Sequence, residues 1–61
     1  PLGAYASIRE NKIYMHGFVA TPDGSQIIFS ETNGPSDSPE DVGKKLSQLL
    51  IAQGAKKILD L

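Results

Sequence analysis

Three stretches with strand-like patterning come first in this chain, and a single stripe at helical spacing follows them with no return to strand. That order restricts the fold more than any other feature. A doubly wound parallel sheet needs strand and helix to alternate, whereas strands grouped ahead of a helix build an antiparallel sheet with helical cover on one side. The expected fold class is α+β: a three-stranded antiparallel sheet with one main helix and a short C-terminal helix packed on one face.

The first stretch, A-Y-A-S-I at residues 4–8, sets Ala4, Ala6 and Ile8 against Tyr5, Ser7 and Arg9, as a half-buried strand does. Glu10-Asn11 separates it from I-Y-M-H-G-F-V-A at 13–20. Asn tolerates the left-handed conformation of a tight hairpin, so the two strands should pair antiparallel. Thr21-Pro22-Asp23-Gly24-Ser25 joins a Pro that presets φ, an Asp that bonds its own backbone and a Gly free to take positive φ, which marks a turn. Q-I-I-F-S-E-T at 26–32 is the third strand, and Asn33-Gly34-Pro35-Ser36-Asp37 reads as a loop full of breakers.

Ser38-Pro39-Glu40-Asp41 carries a helix start: a hydroxyl to cap free N–H groups, a Pro suited to the first helical position, and two acids at the positive end of the dipole. The spacing predicts a helix from Pro39 whose stripe is Val42, Leu46, Leu49 and Leu50, with Lys44, Ser47 and Gln48 away from it. Gly54 stands where a left-handed cap is expected, and residues 55–59 suit a short final helix or extended turn.

A chain of 61 residues forms one domain, 1–61, with a thin core, since at this size only about 60% of the unfolded surface is buried. It has no cysteine, which excludes disulfide staples, thiolate zinc sites and a thiol nucleophile. Six Lys/Arg against seven Asp/Glu leave no positive surplus for a phosphate backbone or an anionic membrane, so no nucleic-acid or membrane partner is expected. No apolar run approaches the roughly 20 residues of a membrane span, and a cytoplasmic location is expected by default. Pro1, with no Met before it, leads us to expect a chain cut from something longer or processed.

Residues with chemistry to offer have simpler roles available. His16 has no partner at a spacing that identifies a triad, and reads as a strand side chain on the less buried face. Asp23, Glu31, Asp37, Glu40 and Asp41 sit in turns, at a strand end or at the helix start. The six glycines build no phosphate-binding loop, and Lys44-Lys45 and Lys56-Lys57 read as a solvated helix face. No catalytic, cofactor-binding or metal-ligating residue is expected in this chain.

One feature exceeds a bland surface. If Ala4, Ala6, Ile8, Ile13, Met15, Gly17, Val19 and Ile28 face the helix, then Tyr5, Tyr14, Phe18 and Phe29, every aromatic in the chain, share the opposite face. Contiguous apolar patches of that kind mark binding surfaces, and two or three exposed rings favour weak self-association of the isolated chain. The alternative is a third strand in the other register, with Phe29 in the core.

The order P-L-G-A-Y-A at 1–6, a short hairpin, G-F-V-A-T-P-D-G-S-Q-I-I at 17–28, a Gly-Pro loop, a capped helix and G-A-K-K-I-L at 54–59 resembles the C-terminal (third) domain of the hydroxymethylbilane synthase, or porphobilinogen deaminase, family. The likeness covers essentially the whole chain, with P-D-G-S-Q-I-I its most specific part. It implies a parent transferase of three domains that condenses four porphobilinogen units into the linear tetrapyrrole hydroxymethylbilane with release of ammonia, for haem and related pigments. It also implies a dipyrromethane cofactor, held as a thioether by a cysteine just upstream of the segment resembled by Pro1-Leu2-Gly3. The family's catalytic aspartate and substrate-binding arginines belong to the other two domains, so no catalytic residue maps here. His16 and Phe29 depart from the pattern at strand positions where relatives carry Arg, which puts charged inter-domain contacts in doubt at those two sites. On this resemblance the chain is a fragment inactive by itself, supporting the cofactor loop and packing on the parent's other domains. The alternative is an independent interaction module that binds a protein partner through its aromatic sheet face.

Overall fold

Glu10 and Asn11 both take positive φ, 50° and 67°, the left-handed pair that a two-residue hairpin loop needs to match the twist of its strands. This loop joins β1 (Leu2–Arg9) to β2 (Lys12–Ala20) in antiparallel register, with Ile8 opposite Ile13 and Tyr5 opposite His16. A second turn leads to β3 (Ile27–Pro35), which pairs antiparallel with β2 and completes a sheet of order β1-β2-β3. Two helices follow, α1 (Pro39–Ala52) and α2 (Ala55–Ile58), and the fold is α+β as expected. The computed structural model describes residues 2–59; Pro1, which opens the P-L-G-A-Y-A run, and Asp60 and Leu61 lie outside the described residues.

The core forms where α1 crosses β2 and β3. Ile13 and Val19 of the sheet are buried, as are Val42, Leu46 and Leu50 of α1 and Ala55 of α2. Met15, Ile28, Ile58 and Leu59 pack at its margin. Gly17 lies beneath α1, where an added Cβ would be 3.4 Å from Leu46 Cδ2 and 3.6 Å from Leu50 Cδ1. Gly54 has φ 103°, the left-handed conformation expected between the two helices. Among the described residues no helix is long and apolar enough to cross a membrane.

Four details differ from the sequence reading. First, β3 runs on through Asn33-Gly34-Pro35, with Gly34 opposite Ile13 and Pro35 opposite Lys12. Gly34 is in the strand because α1 packs there: a Cβ on it would be 2.7 Å from Val42 Cγ2, so only glycine admits the helix this close. Pro35 is tolerated because it ends an edge strand.

Second, Ser38 occupies the N-cap position with φ −130°, but its hydroxyl makes no capping bond. It donates instead to Asp37 Oδ1 at 3.3 Å. Third, Leu49 is 38% exposed and outside the core. The stripe centres on Val42, Leu46 and Leu50; Leu49 lies at its margin, on the flank opposite Ser47 and Ile51. On that side Gln53 Nε2 donates to the Phe29 carbonyl of edge strand β3 at 3.0 Å.

Fourth, Ala4, Ala6 and Ile8 share the helix-side face, as expected, but nothing covers them. Every residue of β1 except Gly3 is exposed, Ile8 at 64%. Strands lie about 4.8 Å apart and a helix with its side chains is about 10 Å wide, so one helix covers about two strands. Here α1 covers β2 and β3.

Candidate functional site

The register places the aromatic residues. Phe18 is opposite both Gly3 and Phe29, Tyr5 is opposite His16, and Tyr14 is opposite Ser7 and Asn33. Directly paired residues share a face, so Tyr5, Tyr14, Phe18 and Phe29 all lie on the side away from α1. The alternative register is thereby excluded: Phe29 is 54% exposed, on the open face.

These rings are organised into a row. Tyr5 and His16 have centroids 5.1 Å apart at 31°, and His16 and Phe29 are 6.0 Å apart at 34°, so three rings cross all three strands. Such separations fall in the range where ring pairs attract beyond simple area burial, by roughly 0.5–1.5 kcal/mol each. Beside the row, the Arg9 guanidinium carbon lies 5.2 Å from the Tyr14 ring centroid, a cation–π placement. The Phe18 ring occupies the space beside Gly3 that a side chain there would need. Tyr5 stays 63% exposed, while Tyr14 and Phe18 are half-buried.

His16 is thus where the sequence put it, an exposed strand residue on the less covered face. Its neighbours there are rings and, opposite it on β3, Glu31. The other carboxylates are dispersed. Asp23 Oδ1 accepts from the Ser25 backbone N–H at 3.0 Å and the Thr21 hydroxyl at 2.8 Å, which lowers its pKa to about 2, the Ser25 bond being the larger cause. Thr21 closes the same turn, its backbone N–H donating to the Gln26 carbonyl and its hydroxyl accepting from the Gln26 N–H. Glu40 and Asp41 occupy the first turn of α1, and Lys44, Lys45, Lys56 and Lys57 are exposed. Among the described residues no three His, Cys, Asp or Glu side chains group as metal ligands would.

The ring row and the Arg9–Tyr14 stack were not foreseen, although the signal was present. A two-residue loop at Glu10-Asn11 sets Ile8 opposite Ile13 and so Tyr5 opposite His16. Chemically, the face is an array of rings with Arg9 and Glu31 beside them, suited to being packed against. A dipyrromethane of the kind the resemblance implies does not fit the residues present. A thioether needs a thiol and the chain has none, while its single Arg, which would be wanted for pyrrole carboxylates, lies over Tyr14.

Residues 1–52 match the family described as porphobilinogen deaminase, C-terminal domain. The chain is 45% identical over 60 residues to the porphobilinogen deaminase of Thiobacillus denitrificans, covering 98% of this chain and 20% of that protein. It is 42% identical to the Carboxydothermus hydrogenoformans porphobilinogen deaminase over 98% of this chain and 19% of that one. With the Nitrosomonas europaea porphobilinogen deaminase the identity is 49%, over 97% of this chain and 19% of the relative. The chain therefore spans about a fifth of the length of these curated relatives.

Proposed function

The chain belongs to the porphobilinogen deaminase family and corresponds to its C-terminal domain, and from that premise we propose that residues 1–61 work as one domain of a transferase that polymerises four porphobilinogen units into hydroxymethylbilane with release of ammonia. The domain contributes no reacting group. Its task is to support the loop that carries the dipyrromethane and to pack on the parent's other domains. The parent's remaining polypeptide holds the cofactor and the reacting groups.

The observation that carries this reading is the aromatic face. Tyr5, Tyr14, Phe18 and Phe29 form a ring-rich surface on the uncovered side of the sheet, with Tyr5 and Phe29 more than half exposed. A domain of a larger protein has a use for such a surface as an inter-domain contact, in which aromatic residues concentrate. Away from that partner, the same rings support weak self-association of the isolated chain. A free-standing interaction module would use the same face, and family membership favours the first reading.

A fusion tests this directly: residues 1–61 replace the matching fifth of the Thiobacillus denitrificans enzyme, and porphobilinogen consumption is followed. We expect an active fusion, an inactive 61-residue chain, and a fusion carrying Phe29→Asp with reduced turnover. A soluble, folded fusion without activity, or a covalent pyrrole adduct on the 61-residue chain by mass spectrometry, would sink the proposal.

A further inference from the structure

Asn33 is followed by Gly34, whereas the chain's other asparagine, Asn11, is followed by Lys12. An Asn-Gly pair is chemically prone to imide formation, because glycine has no side chain to shield its backbone nitrogen from the amide before it. In a loop, as the breakers of residues 33–37 suggest, the pair would react freely. The structure puts it in β3 instead, with Asn33 opposite Tyr14 and Gly34 opposite Ile13. The Asn33 side chain is exposed and lines an open depression with Tyr14, Met15, His16, Glu31 and Thr32, so water reaches it.

Whether the pair can react depends on the Gly34 nitrogen. At the two ends of the β2–β3 pairing, the Ser36 N–H donates to the Asn11 carbonyl at 3.0 Å and the Thr21 N–H to the Gln26 carbonyl at 2.9 Å. Hydrogen-bonded pairs of an antiparallel ladder recur at every second residue. Counted inward from either end, Ile13 and Gly34 exchange both bonds, and the backbone groups of Asn33 point off the free edge of β3. Phe29 has the parity of Asn33, and its carbonyl is indeed turned outward, to the Gln53 amide. Closing an imide requires ψ of Asn33 to leave the extended range, about +135° in such a strand, and Gly34 to turn out of the ladder. Gly34 is also held from above, where an added Cβ would be 2.7 Å from Cγ2 of the buried Val42. Pro35 favours the extended conformation in Gly34 itself.

We infer that Asn33-Gly34 is a deamidation site that the fold keeps shut, reacting only when the end of β3 parts from β2 and from the start of α1. The inference does not depend on the proposed domain role. In the opened segment the Gly34 nitrogen attacks Cγ of Asn33. The new N–Cγ bond replaces the Cγ–Nδ2 bond, and Nδ2 leaves as ammonia with the proton from Gly34. Water then cleaves one or other C–N bond of the imide, giving aspartate or isoaspartate with no change of oxidation state. The isoaspartyl backbone is lengthened by a methylene, so Gly34 no longer meets both Ile13 and Val42. Modification therefore leaves the end of β3 open.

The 61-residue chain is held at mildly alkaline pH, folded or in guanidinium chloride, beside a peptide of residues 30–37. Conversion of Asn33 and Asn11 is read by mass spectrometry, with chromatographic separation of the isoaspartyl peptides. In the peptide and in denaturant Asn33 should react much faster than Asn11. In the folded chain it should be slower than in denaturant by at least about tenfold, as befits a segment that must first open. Val42→Ala and Leu50→Ala loosen α1 near its start and near its end, and Val42→Ala should accelerate the reaction more for the same lost stability. The wild-type comparison decides by itself should either variant fail to fold. Asn33→Asp, with the charge but not the longer backbone, should keep a denaturation midpoint near that of the wild type, and the isoaspartyl chain should fall well below it. Equal rates at Asn33 in the folded and denatured chain, an unfolded Asn33 no faster than Asn11, or equal acceleration by the two α1 variants would each overturn the inference.

Discussion

Adding one methyl group at Gly34 sets two effects of opposite sign against each other. The residue lies in β3 with its α-carbon toward α1, and the new Cβ would stand 2.7 Å from Val42 Cγ2, well inside van der Waals contact. Val42 cannot swing aside: it is 3% exposed, and a β-branched side chain in a helix has essentially one χ1 rotamer. The start of α1 and the end of β3 must separate, an overpacking cost of about 1–3 kcal/mol. Against this, φ at Gly34 is not positive, so Ala is compatible with the backbone and restricts the unfolded chain, a gain of about 0.4–1 kcal/mol. We expect Gly34→Ala to destabilise by about 1–2 kcal/mol net, read by urea denaturation followed by circular dichroism. Val42→Ala removes the obstructing methyls, so the double variant should be less damaged than the sum of the two singles by about 1 kcal/mol. A stabilised Gly34→Ala, or strict additivity, would refute the close approach of helix and strand.

Two further outcomes follow from the turn and the helix start. The carboxyl of Asp23 is held below its ordinary value, from 3.8 to about 2, so its contribution to stability is complete above the unfolded value. It should fade as pH falls from about 4 through about 2, and Asp23→Asn should remove that part of the acid dependence, as measured by denaturation midpoints across this window. Ser38→Ala should cost only a few tenths of a kcal/mol instead of the roughly 1 kcal/mol of a true N-cap hydroxyl, because its Oγ bonds Asp37 and leaves the first-turn N–H groups alone. A full loss of about 1 kcal/mol in chemical denaturation would place the hydroxyl on the helix after all.

What was legible in the chain was whatever depends on local period and turn chemistry. The alternation in β1 and β2, the left-handed Asn11 and the Pro39 start all act within a few residues, and each element formed near its expected place. The shared face of Tyr5, Tyr14, Phe18 and Phe29 follows from parity once the hairpin loop is known. What was hidden depends on distance in space. Gly34 looks like a loop breaker until Val42 is seen above it. Ala4, Ala6 and Ile8 carry the pattern of a buried face, and the pattern says nothing of how many strands one helix can cover. Leu49 belongs to the stripe by angle yet sits at its margin, and the Ser38 hydroxyl had a nearer acceptor in Asp37.

The aromatic face as an internal contact of a larger deaminase is tested most directly by measuring the stability cost of Tyr5→Asp twice, once in the 61-residue chain and once in the fusion with the rest of the Thiobacillus denitrificans enzyme. Tyr5 is 63% exposed in the domain, so the substitution should be tolerated there apart from the loss of its ring contact with His16. In the fusion it would place a carboxylate in a covered apolar contact. The expected result is an additional cost of at least about 1.5 kcal/mol, the lower end of the value of burying a large apolar side chain. An equal cost in both proteins would show that the ring is still in solvent when the polypeptide is complete, and would contradict the assignment of that face.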